Sequence, residues 1–139
     1  MPRISADGRL LAYVSGEAGR QVYVMPLDGA GARVRISPVG GTEPIWSPDG
    51  GKLYFRGPSR MMAATIARIP ELAVVRIDTL FVDRFVRGAT QTNYDLFPNG
   101  DFLMVESTSG VEPGRLMGMA NWLEEVKRIV RQQERAAPR

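Results

Sequence analysis

The 139-residue chain contains no cysteine and no histidine. That excludes a Ser-His-Asp or Cys-His catalytic engine, a zinc site built from the usual ligands, a disulfide frame and thiolate redox chemistry. No catalytic residue, no metal ligand set and no cofactor is therefore assigned. Long apolar runs are missing as well. The longest stretch without a charge is Leu116 to Leu123, far short of the roughly 18 residues of a membrane-spanning helix, so no membrane span is expected. The first residues, Met1-Pro2-Arg3-Ile4-Ser5, hold no apolar segment of a secretory signal. Excess charge of one sign is also scarce, with 18 basic against 15 acidic residues. Five basic residues from Lys127 to Arg139 against three acidic ones (Glu124, Glu125, Glu134) place most of that small excess in the tail. Elsewhere Arg alternates with Asp and Glu, and no basic stripe with aromatic platforms exists, so nucleic acid is not an expected partner.

What is present is an ordinary globular balance, 44% hydrophobic and 24% charged, in a chain long enough to bury about two-thirds of its unfolded surface. Fifteen Gly and ten Pro make it rich in turns. One turn occurs three times: Ile4-Ser5-Ala6-Asp7-Gly8, Trp46-Ser47-Pro48-Asp49-Gly50 and Leu96-Phe97-Pro98-Asn99-Gly100. Each copy reads as a type I turn closed by a left-handed glycine, so Asp7, Gly8, Asp49, Gly50, Asn99 and Gly100 are assigned structural turn roles. A calcium loop is disfavoured, because each turn offers a single oxygen side chain where the ion wants six to eight ligands.

An apolar strand follows each glycine: Leu10 to Val14, Lys52 to Arg56 and Phe102 to Glu106. Aligned by the turn, Leu11, Leu53 and Leu103 share one column, and Tyr13, Phe55 and Val105 share another on the same face. The column between them, Ala12, Tyr54 and Met104, is apolar too, which predicts sheets covered on both faces. Further strands are predicted at Gln21 to Met25, Ala32 to Ile36, Met61 to Ile66, Val74 to Val82 and Arg115 to Met119. Four short strands per unit of 40 to 50 residues read as a β-propeller blade; an all-β sandwich is the alternative. The predicted fold is all-β: three four-stranded blades over residues 1–120 (about 1–41, 42–91 and 92–120), then a helix and tail over residues 121–139. In that helix Asn121 is the N-cap, Glu124 completes a capping box, and Trp122, Val126, Ile129 and Val130 share the packing face.

The Ser-Pro-Asp-Gly turn with its Leu/Ala/Tyr strand resembles the TolB-like propeller repeat. The run Gly40 to Gly50, then Asn93-Tyr94-Asp95, then Asn121-Trp122-Leu123-Glu124-Glu125 resembles the C-terminal end of bacterial propellers in kinase-fused or receptor-like proteins. Ala6 stands where that pattern has Pro, Phe97 where it has Ser, and Asn99 where it has Asp. The resemblance implies a non-catalytic recognition module of a larger protein, periplasmic or extracytoplasmic if that protein is receptor-like. No kinase element occurs in the chain. The sequence is also similar to the propeller half of prolyl-oligopeptidase-type enzymes, whose Gly-x-Ser-x-Gly elbow and histidine are absent; an accessory propeller fragment of such a peptidase is the alternative function. A purely structural assembly is a third.

A propeller meets its partners at the ends of its channel. Aligning the repeats places Glu43 and Asn93 at one inner-strand position, with Thr42 beside Glu43 and Arg87 shortly before Asn93. These four are the expected contacts for a protein or small-molecule ligand. Trp46 and Trp122 read as packing anchors. Three blades do not close a ring; either earlier blades complete it, as Met1 falling inside an inner strand suggests, or a homodimer joins three to three in a six-bladed ring.

Overall fold

The computed structural model describes residues 2–16, 19–29, 31–68, 71–88 and 91–107. Among them the chain is all-β and antiparallel, with no helix. The first sheet is a meander of β1 (Arg3–Ile4), β2 (Leu10–Ser15), β3 (Gln21–Pro26) and β4 (Val34–Arg35) in chain order. The second repeats that order with β5 (Thr42–Trp46), β6 (Lys52–Arg56), β7 (Arg60–Ala67) and β8 (Ala73–Val82). A third, two-stranded sheet pairs β9 (Tyr94–Leu96) with β10 (Phe102–Met104). The fourth strand of the first unit is shorter than the span expected from Ala32 to Ile36. Its neighbours Ile36 and Ser37 are nonetheless buried, and both backbone N–H groups point to the Val22 carbonyl. The segment Arg115 to Met119 and the helix and tail of residues 121–139, with Trp122, lie outside the described residues.

The sheets stack with apolar cores between them. Leu10, Ala12, Val22 and Val24 of the first sheet meet Leu53, Phe55, Ala64 and Ile66 of the second. On the other face of the second sheet, Met61 and Tyr54 meet Tyr94, Phe102 and Met104 of the third. The middle sheet is thus covered on both sides, as the apolar run Leu53-Tyr54-Phe55 of β6 requires. Leu53 and Phe55 are fully buried, each worth roughly 1.5–3 kcal/mol of transfer from water. Trp46 ties the first two sheets as well as filling space: its Nε1–H donates to the Arg3 carbonyl at 3.0 Å.

The repeated turn explains both the likeness and the difference of the units. Gly8, Gly50 and Gly100 all adopt left-handed φ, between 69° and 87°, the region glycine enters without a Cβ penalty. In the first two copies a serine hydroxyl closes the hairpin: Ser5 Oγ accepts the Leu10 N–H and Ser47 Oγ accepts the Lys52 N–H, each at 2.9 Å. The result pairs Ile4 with Leu11 and Trp46 with Leu53. In the third copy Phe97 supplies no hydroxyl. Its N–H bonds to the Asp101 carbonyl one residue sooner, and Leu96 pairs with Phe102. A slip of one residue turns every side chain to the opposite face. The expected column of Leu11, Leu53 and Leu103 therefore holds for two units and fails in the third, where Phe102 and Met104 point into the core instead.

Candidate functional site

The polar centre of the molecule is Arg56, the last residue of β6, whose side chain is completely buried. A guanidinium has five donors and no acceptor, so burying one demands a full set of oxygens. Asp83, just beyond β8, meets it as a two-pronged fork, with Nε and Nη2 donating at 2.7 and 2.6 Å. The Val86 and Phe85 carbonyls accept from Nη1 and Nη2 at 2.7 and 3.0 Å. Glu43 completes the cage at 3.4 Å from Nη1, too long for a strong hydrogen bond but close enough for charge attraction in a dry site. Burial alone raises the Asp83 carboxyl, but the hydrogen bonds and charge of Arg56 outweigh it and hold the group below the usual range. Arg56 is likewise pulled down by burial and pushed up further by Asp83 and Glu43.

Glu43 reaches this position through a backbone irregularity. It is the one described non-glycine residue with positive φ, 52°, in a bulge where the β5–β6 register shifts between Thr42 and Ile45. Bulges re-aim a side chain at the cost of local strain, on the order of 1–3 kcal/mol. Here the re-aimed carboxylate accepts the Asn93 backbone N–H at 2.8 Å, while the Glu43 carbonyl accepts the Tyr94 hydroxyl at 2.7 Å. One residue of the second sheet thereby holds both backbone and side chain of the strand that begins the third. Tyr94 is buried, and desolvation, followed by the charge of Glu43, pushes its hydroxyl well above the ordinary tyrosine value.

The expected contact residues do converge on this corner. Thr42 opens β5 opposite Arg56 and is half-buried. Arg87 is partly exposed and donates to the Gly57 carbonyl at 2.6 Å and to Asp83 at 2.5 Å. Asn93 is half-buried and held by its main chain. Glu43 was expected beside them facing a ligand; only 2% of it is accessible, and its carboxylate is turned inward. Arg56 and Asp83, the strongest pair of the cluster, escaped the sequence reading. The one signal for them was a cation ending the apolar run Leu53-Tyr54-Phe55-Arg56 with an acidic residue closing the last strand of the same unit. Chemically the arrangement is a clamp: its carboxylates are buried and neutralised by a permanent cation, which suits neither a general acid nor a solvent-facing base.

The turn aspartates are engaged locally. Asp7 accepts from the Ser5 hydroxyl at 2.6 Å, and Asp49 accepts from the Ser47 hydroxyl at 2.5 Å and the Gly51 N–H at 3.0 Å. These bonds, the serine's foremost, lower both carboxyls. Asn99 Oδ1 accepts the Asp101 N–H at 3.1 Å. Arg68 links two of the turns, bonding Asp7 and also the Gly50 carbonyl at 2.8 Å. It borders an open cleft of about 710 Å³ between the first two sheets, with Arg9, Pro26, Asp28, Glu71 and Leu72 on its walls.

No protein-family model matches the chain. It is similar to an uncharacterized peptidase, YuxL, of Bacillus subtilis (strain 168), at 46% identity over 52 residues. The similarity covers 35% of this chain and 8% of the length of that protein.

Proposed function

We propose that the chain is part of a TolB-like β-propeller and acts as a non-catalytic recognition module of a larger protein. The supporting observation is the repeated stacking: two meanders of the same strand order, each opened by the same serine-closed turn, pack face to face and continue into a third hairpin. In this reading the inner strands β1, β5 and β9 line a channel. Thr42, Arg87 and Asn93 stand at its mouth, with the Arg56 cluster behind them as a rigid base. Preorganised polar groups on a stiff support are what a recognition site needs, because little ordering entropy remains to be lost on binding. The partner is a peptide segment or small polar molecule.

The test is a peptide-library screen on the immobilised chain, repeated with Thr42→Ala and Asn93→Ala. Neither substitution removes a bond of the Arg56 clamp, since Asn93 is held through its main chain. Binders should lose affinity by roughly tenfold in either variant, with the melting temperature unchanged. Binders indifferent to both substitutions would refute a channel-mouth site.

A second reading is favoured by the similarity to a protein named as a peptidase: the blades would be the accessory propeller of such an enzyme, screening peptides before they reach a separate catalytic domain. A Gly-x-Ser-x-Gly elbow and a histidine in the same polypeptide would decide for it.

A further inference from the structure

The face of the first sheet turned away from the second is apolar and has no partner among the described residues. Ile4, Leu11 and Met25 lie along it by cross-strand pairing, next to the Tyr13–Tyr23 pair, whose rings stack at 5.8 Å. The equivalent columns of the second sheet show what such a face does. Trp46 and Leu53 stand where the first sheet has Ile4 and Leu11, and they are 7% and 0% exposed against the neighbouring sheet, whereas Ile4 is 60% exposed. The open face therefore has the composition of a sheet-to-sheet interface without its second half. Its outer edge is cationic: Arg33 lies over the Tyr23 ring at 4.9 Å, and Arg35 pairs opposite Tyr23 and is exposed.

The third sheet offers the opposite character. The slip that turns Phe102 and Met104 inward turns Leu103 outward, with Asp95 directly opposite it on the same face. Phe97 is 41% exposed at the adjoining turn. Among the described residues an apolar strip edged by carboxylate thus lies on one outer face, and an apolar strip edged by guanidinium lies on the other.

We propose that the open face of the first sheet binds the third sheet of a second copy of this chain. In that contact Phe97 and Leu103 of one copy cover Leu11 and Tyr13 of the other, and Asp95 approaches Arg35. The contact joins two different surfaces, so two copies must make it twice to close, and otherwise it propagates as a filament. Closure into a ring of two rests on the propeller reading above; the pairing of the two faces rests on their own composition.

Light scattering coupled to size-exclusion of the full chain, across micromolar concentrations, tests this. The expected result is a particle of twice 15.3 kDa. Ile4→Asp and Arg35→Glu, both at exposed positions, should each raise the dimer dissociation constant roughly tenfold or more while leaving the thermal melt in place. Asp95→Arg combined with Arg35→Glu should recover association. A folded monomer at every concentration overturns the proposal and leaves the face to a blade elsewhere in the polypeptide. A dimer insensitive to Ile4→Asp and Arg35→Glu overturns the assigned face, and a ladder of larger oligomers overturns closure. Peptide binding measured on the same samples separates the two readings. A monomer that binds peptide through Thr42 and Asn93 refutes the dimer alone, and a dimer that binds none refutes recognition alone.

Discussion

Replacing Asp83 by alanine removes the carboxylate that takes two of the five donors of Arg56, at 2.6 and 2.7 Å, inside a site where both side chains are fully inaccessible. Each charge-assisted bond is worth about 1.5–3 kcal/mol, and a buried charge stripped of its partner costs about 3–5 kcal/mol; both routes lead to the same expected loss. Against a total stability of about 5–15 kcal/mol for a domain, that is a large share. Urea unfolding followed by tryptophan fluorescence should show a midpoint lower by about 2 M, taking a slope near 2 kcal/mol per M. Arg56→Met should cost a similar amount, because it leaves Glu43 buried without its cation and Asp83 with Arg87 alone. The double variant should cost about 2 kcal/mol less than the two losses added, the mark of groups that act as a pair. The pH dependence has a definite sign. The folded Asp83 carboxyl sits below its unfolded value of about 3.9, so its stabilisation is complete above that pH and drains as the pH falls through the folded value. That acid-side slope should shrink in Asp83→Ala. A loss below about 1 kcal/mol, or energies that add within about 0.5 kcal/mol, would show that the guanidinium is not enclosed as described.

At the alkaline end, Tyr94 should stay protonated well above the ordinary tyrosine range, because burial raises its folded hydroxyl. Its share of stability is complete below about pH 10, the unfolded value, and is lost as pH rises beyond; titration at the phenolate absorbance band should show one tyrosine appearing only with unfolding, and Tyr94→Phe should remove that step. Ser47→Ala deletes the hydroxyl that bonds both Asp49 and the Lys52 N–H. It should raise the Asp49 carboxyl toward its ordinary value in an NMR titration and lower stability by about 1 kcal/mol. Gly41→Ala should destabilise by about 1–3 kcal/mol although no left-handed φ is involved: an added Cβ would sit 2.9 Å from both Phe55 and Ser37. A thermal melt matching the parent would refute that packing.

The local chemistry of this protein was legible in its sequence. Three glycine turns with Asp or Asn one residue before, followed by β-branched, aromatic and leucine-rich strands, settle the strand positions because turn conformation and pleat are decided within a few residues. The absence of His and Cys settles as directly which chemistries this stretch of chain lacks. Register and pairing partners were a different matter. Whether Leu103 or Phe102 faces the core follows the tighter closure of the third hairpin, where Phe97 stands in place of serine, and it is decided as that hairpin packs against Met61 and Tyr54. The Arg56 cluster was out of reach for a similar reason. Arg56, Asp83 and Glu43 are separated by 27 and 13 residues and read alone as an exposed strand end, a loop acid and a channel carboxylate. Pairing β5 to β8 into one sheet, with the chain after β8 folded back over Arg56, brings them together, and the resulting loss of water turns three ordinary surface residues into a buried ion cage.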